Sequence, residues 1–270
     1  MDIIDTAKWP LTAMLVSRRH RVMFMPIAKN ANTSLKRLFV RLCGHPDQHR
    51  ILADNVHSYL TSHKTGLRLS DYTPEEAWGL VNDERYFRFV VLRNPLARAT
   101  SGYLSKFVRD RQFENQGIES PEVIRPAIDW VYAQRKQPPD YGRSITFEEF
   151  VDYLVSNDDD HLDTHFRSQE SYLEGFKFDF VAVQENLRPL LKELENRFAK
   201  PVQIEHRNIT ARKRNVFRKR GASNQLPVEL YSNRKLANDS QLMTAEIKSK
   251  LSHRFARDIE LWQQAAEAIH

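Results

Sequence analysis

The sequence predicts an α/β protein with a central parallel sheet, helices on both faces and a helical C-terminal part. Three observations predict it. Apolar runs of strand length recur at Arg21 to Met25, Tyr86 to Leu92 and Phe178 to Val183. The segments between them carry apolar residues at helical spacing. Strands that alternate with helices pair most readily as parallel neighbours.

Each element has its own signal. Arg21 to Met25 (RVMFM) reads as a buried strand, and the polar stretch Pro26 to Asn32 reads as a loop. Thr33 to Leu42 places Leu35, Leu38, Phe39 and Leu42 on one helical face, with Thr33 as N-cap. Cys43 to Ser70 is His-rich and reads as irregular. Thr73-Pro74-Glu75-Glu76 is a capping box with proline in the first turn, so a helix begins there. Tyr86 to Leu92 is the second strand, ended by Arg93-Asn94, and Pro95 opens a helix reaching about Phe107. Between Gln112 and Arg143 the chain is polar, with a helix expected from Pro121 to Gln134. Thr146 to Glu149 is a second capping box, for a helix over Phe147 to Val155. Phe178 to Val183 is the third strand, with a helix from Leu187 to Phe198 and a fourth strand at Pro201 to Ile204. Helices are expected from Pro227 to Leu236 and from Gln241 to Ala268.

The bulk composition narrows the function classes. The chain has 270 residues, 41% of them hydrophobic, enough for one large core. Cys43 is the one cysteine, which excludes an internal disulfide and a CxxC metal site. The N-terminus lacks the basic and apolar regions of a secretion signal, and no apolar run reaches membrane-spanning length. The expectation is a soluble cytoplasmic protein with no integral membrane segment and no metal. The net charge of +6 points to an anionic partner, and much of the excess lies in Arg207 to Arg220.

Two segments carry chemistry. Ala28-Lys29-Asn30-Ala31-Asn32-Thr33-Ser34-Leu35-Lys36 joins a strand to a helix N-terminus, where free N–H groups and the helix dipole favour an anion. Thr33 and Ser34 add hydroxyls, and Lys29 adds a charge. It is not a Walker A loop, because GxxxxGK[ST] is absent. Arg93-Asn94-Pro95-Leu96-Ala97-Arg98-Ala99-Thr100-Ser101-Gly102-Tyr103 puts Arg93 at the carboxyl end of a strand, where α/β sheets bind ligands. Arg98 and Ser101 are three residues apart on the helix that follows, so they share a face.

These two segments resemble the donor-binding motifs of carbohydrate sulfotransferases, the family that includes the chondroitin and dermatan enzymes. Arg93 to Tyr103 matches the second motif (Arg-x-Pro-x-x-Arg-x-x-Ser-x-Tyr) at every fixed position; Ala28 to Ser34 matches the first, with alanines at 28 and 31 for the usual proline and frequent glycine. Asp163 to Gln169, Phe178 to Leu187 and Phe255 to Trp262 resemble later segments of the same family. The resemblance implies a P-loop-like three-layer fold and a single sulfotransferase domain over residues 1–270. It implies transfer of a sulfuryl group from 3′-phosphoadenosine-5′-phosphosulfate (PAPS) to a hydroxyl of a glycan or glycoconjugate, leaving 3′-phosphoadenosine-5′-phosphate (PAP). Lys29, Asn30, Ala31, Asn32, Thr33, Ser34 and Lys36 then surround the 5′-phosphosulfate. Arg93 and Ser101 hold the 3′-phosphate, with Arg98 beside them or paired to an acidic neighbour. Lys29 steadies the leaving oxygen, and His57 is the first candidate for general base, followed by His165 and then His63. Gln169 is expected to orient the acceptor.

Two other readings compete. A P-loop-like kinase needs a glycine-rich loop and an acidic metal ligand after a strand, but Phe89 to Leu92 ends in Arg93. A non-catalytic polyanion- or nucleotide-binding protein would use Arg207 to Arg220 and have no need of Lys29 or Arg93. A nucleic-acid partner is not expected, because no nucleic-acid motif is present.

Overall fold

A computed structural model describes residues 8–109, 121–204, 221–230 and 239–268. In order, the chain forms β1 (Leu15–Ser17), β2 (Val22–Met25), α1 (Asn32–Cys43), α2 (Gln48–Ala53), α3 (Val56–Ser62), α4 (Pro74–Asn82), β3 (Phe87–Leu92) and α5 (Pro95–Tyr103). Then come α6 (Arg125–Gln134), α7 (Phe147–Val155), β4 (Phe180–Val183), α8 (Arg188–Phe198), α9 (Pro227–Leu230), α10 (Asp239–Leu242), α11 (Ala245–Arg254) and α12 (Ala256–Ala268). The described chain divides into two compact units. The first holds residues 8–93, 169–204 and 261–268; the second holds 94–109, 121–168, 221–230 and 239–260.

The first unit is a three-layer sandwich. Its sheet has the order β1-β2-β3-β4, with β1 antiparallel to β2 and the other neighbours parallel. The period of two along a strand sorts side chains onto two faces. Val22, Phe24, Phe87, Phe89, Val91 and Ala182 pack beneath α1, α3 and α8. Met23, Met25, Val90, Leu92 and Val183 face Ala77 and Val81 of α4, Tyr172 and Ala265 near the end of α12. The Phe24 and Phe89 rings stack at 4.8 Å, so the two central strands are locked by aromatic packing as well as by their ladder.

The second unit is helical. Tyr103, Phe107, Phe147, Phe150 and Phe166 form one aromatic core among α5, α6, α7 and α11. Gly102 is required there, because a Cβ would meet the Phe166 ring at 3.3 Å. Both predicted capping boxes form: Thr73 and Thr146 accept from the backbone N–H of Glu76 and Glu149, whose carboxylates accept in return.

Several expectations are corrected. Thr33 is not a cap: α1 starts at Asn32, with Ala31 as its N-cap. Cys43 to Ser70 is not irregular, because Ile51, Val56 and Leu60 supply enough apolar surface to dock α2 and α3. Pro201 to Ile204 is not a strand. The fourth strand is Leu15–Ser17, too short to announce itself by alternation. The helix opened by Pro95 stays α-helical to Tyr103 and continues as a π-helix over Leu104–Arg109. The expected C-terminal helix breaks into α10, α11 and α12, with Thr244 capping α11. Residues 231–236 of the expected Pro227 to Leu236 helix lie outside the described residues.

Replacing Phe89 by Ala should lower stability by about 3–5 kcal/mol, because it empties the centre of the sheet core. Chemical denaturation checks this; a loss below about 1 kcal/mol would mean that the core refills.

Candidate functional site

The loop between β2 and α1 lies at the carboxyl end of the parallel strands. Lys29 and Ala31 both take left-handed backbone, at φ 70° and 52°. Left-handed residues alternating with ordinary ones turn successive N–H groups toward one side, a concavity suited to anions. The left-handed conformation costs a non-glycine residue roughly 1–2 kcal/mol, so the loop holds this shape against its local preference. Leu35 N–H makes the first intrahelical bond, to Ala31 O at 3.0 Å. The N–H groups of Asn32, Thr33 and Ser34 precede it and have no intrahelical acceptor.

Buried amides hold the loop in place. Asn30 is 1% exposed, and its Nδ2 donates to Val91 O at 2.8 Å and to Gln169 Oε1 at 2.6 Å. The Gln169 side chain also pairs with the backbone of Arg93: Arg93 N–H donates to Oε1 at 2.9 Å, and Nε2 donates to Arg93 O at 2.9 Å. Arg93 Nη1 in turn donates to Lys29 O at 2.9 Å. Lys29 and Arg93, predicted from separate motifs, are thus in contact. The expectation that Gln169 orients an acceptor is corrected: Gln169 is fully buried, and its amide is engaged with the protein. The Asn30 side chain likewise faces inward, so what this stretch offers a ligand is backbone.

Along α1, Thr33 and Lys36 meet His57 of α3. Thr33 Oγ1 lies 2.9 Å from His57 Nε2, and Lys36 Nζ lies 3.4 Å from His57 Nδ1. An ammonium can only donate, so Nδ1 carries the lone pair and Nε2–H donates to Thr33. Burial, with a smaller repulsion from Arg68, pushes Lys36 down to about 8. A cation so desolvated gains much from an anion placed beside it.

Arg98, Ser101 and His165 belong to the second unit. Arg98 is buried at 3% exposure and donates from Nη1 to Arg167 O at 2.6 Å. Ser101 is half-buried on α5. His165 Nδ1 lies 2.6 Å from Asp163 Oδ1, which also accepts the His165 backbone N–H at 2.8 Å. Burial acts to raise the Asp163 carboxyl, but its bonds to His165 and the charges of His165 and Lys106 outweigh this and hold it below its usual range. Asp163 thereby fixes the proton on Nδ1 and makes Nε2 the basic nitrogen. His63, the third candidate base, is exposed just past the end of α3 and stacks on Tyr59 at 4.1 Å. The basic stretch Arg207 to Arg220 lies outside the described residues.

A family model described as the sulfotransferase family matches residues 12–263. This chain belongs to the sulfotransferase family. It is 30% identical to mouse carbohydrate sulfotransferase 14 over 181 residues, which is 66% of this chain and 44% of that protein. It is 31% identical to Xenopus laevis carbohydrate sulfotransferase 10 over 162 residues, 59% of this chain and 43% of that protein. It therefore spans less than half the length of these relatives. No solved structure gives a significant match. Among the described residues no helix is long and apolar enough to cross a membrane, and no group of three or more His, Cys, Asp or Glu could hold a metal.

Two features of this chain escaped the sequence reading. The Asn30–Gln169–Arg93 network joins residues far apart in the chain, and no local pattern marks it. The Asp163–His165 pair had a signal in its spacing of two, an acidic residue able to reach the histidine backbone and ring together.

Lys36 gives a pH prediction. Folded Lys36 loses its proton at about 8, whereas the unfolded residue keeps it to its ordinary, higher value. Between those values folding releases a proton, so this residue's contribution to stability rises with pH. Lys36→Met should therefore melt higher than wild type below pH 8, with the gain shrinking as pH rises beyond it. A wild type more stable than Lys36→Met at neutral pH would contradict the placement.

Proposed function

We propose that this chain transfers a sulfuryl group from PAPS to a hydroxyl of a carbohydrate acceptor, and that residues 1–270 act as one sulfotransferase domain. The observation that carries the reading is the braced loop: Lys29 and Ala31 in left-handed backbone ahead of α1, with the Arg93 guanidinium on Lys29 O. It presents N–H groups, hydroxyls and cations at one strand end, as a polyphosphate-like anion requires. The family match and the carbohydrate sulfotransferase relatives support the same chemistry. The match runs through both compact units, which supports one domain.

In this reading Lys29, the backbone of Asn30 to Ser34, the hydroxyls of Thr33 and Ser34, and Lys36 bind the 5′-phosphosulfate, and Arg93 binds the 3′-phosphate. Arg98, which donates to Arg167 O within the second unit, is a further proposed contact of the donor. The acceptor oxygen attacks sulfur in line as the bond from sulfur to the bridging oxygen breaks, in a loose transition state like that of phosphoryl transfer. The departing phosphate takes the electron pair, and Lys29 stabilises the charge that develops there. The acceptor proton passes to His57. Its lone pair is on Nδ1, facing Lys36; a bound anion that draws the Lys36 ammonium to itself leaves Nδ1 able to take the proton. His165 is the alternative, with Asp163 supplying the tautomer and the counter-charge.

The test is transfer of labelled sulfate from PAPS to a panel of desulfated glycans. Lys29→Ala should lower kcat about 10²–10³-fold, the usual effect of losing one such stabilising donor, with an unchanged melting temperature. Full activity in Lys29→Ala would remove the assignment. His57→Ala should lower kcat about 10²–10⁴-fold with little change in PAP affinity. If His165→Ala carries that loss instead, the base is His165. A chain that transfers phosphate from ATP and ignores PAPS would restore the kinase reading.

A further inference from the structure

The amide orientations around Gln169 are fixed by their partners. Arg93 N–H requires an acceptor, so it faces Oε1; Arg93 O requires a donor, so it faces Nε2. Oε1 then also accepts from Asn30 Nδ2, whose other hydrogen goes to Val91 O. No flipped arrangement satisfies all four contacts. Asn30 thus has both amide hydrogens engaged, while its Oδ1 is buried with no hydrogen-bond partner among the described residues. A buried acceptor without a donor is destabilising, and an apolar pair of similar size would avoid that. What an apolar pair could not do is fix two backbone segments in register. One segment carries Arg93. The other carries Lys29, whose carbonyl the Arg93 guanidinium then grips.

We propose that Gln169 is a positioning residue for the donor nucleotide: it fastens Arg93 to the Lys29 loop so that the groups meeting the 3′- and 5′-ends of the donor are held at one spacing. This rests on the donor-site reading above. Two consequences separate it from a merely structural role. Loss of the Gln169 amide should act mainly through Arg93, and so mainly on recognition of the 3′-phosphate. The loss should also be redundant with loss of Arg93 itself. Asn30 acts on the other half of the network, through the loop that meets the 5′-phosphate, which PAP and AMP share.

The experiment is calorimetric titration of the full chain with PAP and with AMP. Gln169→Met keeps the length of the side chain and removes its hydrogen bonds. It should cut the preference for PAP over AMP by about tenfold or more, the scale of a lost hydrogen bond to a charged group. The double variant Gln169→Met/Arg93→Ala should bind PAP no worse than Arg93→Ala alone. A Gln169→Met variant that keeps the wild-type preference, or effects that add in the double variant, would overturn the proposal. If Gln169→Met does not fold, Asn30→Ala decides: it should weaken PAP and AMP by the same factor, and unchanged binding of both would sink the idea. Failure of the underlying reading looks different, because wild type itself would then show no preference for the 3′-phosphate.

Discussion

A single side-chain amide pairs with the backbone just past the end of β3, beyond the last rung of its ladder with β2. Gln169 gives the backbone of Arg93 both an acceptor and a donor, as a neighbouring strand does, and takes a third bond from Asn30. The arrangement is costly to bury, and it leaves Asn30 Oδ1 without a hydrogen-bond partner among the described residues. Around it the rest of the site follows. Arg93 leaves the strand in one direction, its guanidinium meets Lys29 O, and the loop keeps two left-handed non-glycine residues that local preference alone would not maintain.

The fold was legible where the signal was local. The apolar run Tyr86 to Leu92 and the capping boxes at Thr73 and Thr146 read correctly, because a run of strand length and end chemistry are properties of a few adjacent residues. The expectations failed where tertiary packing decides. Val56 and Leu60 make α3 a helix by docking it beneath the sheet, and the three residues of β1 become a strand through pairing with β2. Pro201 to Ile204 has strand-like composition but joins none of the ladders of the sheet.

The site was legible in its cations and less so in its supports. Lys29, Thr33, Lys36 and Arg93 lie within two motifs whose residue types match an anionic ligand. The structure adds that Thr33 and Lys36 converge on His57 and that Arg93 reaches Lys29. Asn30 and Gln169 are far apart in the chain, so their contact belongs to the fold. Arg98, also at a motif position, is 3% exposed and donates to Arg167 O, a burial that the motif alone does not announce.

A partly desolvated Lys36, held near His57 and repelled by Arg68, joins the donor loop to the proposed proton acceptor. An anion on that loop changes the charge balance of the whole group. The most direct measurement is therefore hydrogen–deuterium exchange with and without PAP. The account predicts slowed exchange over Ala28 to Lys36, where the first-turn N–H groups take the 5′-phosphate, with AMP slowing the same segment only at the higher concentrations that its missing 3′-phosphate requires. PAP binding that leaves Ala28 to Lys36 unprotected would contradict it.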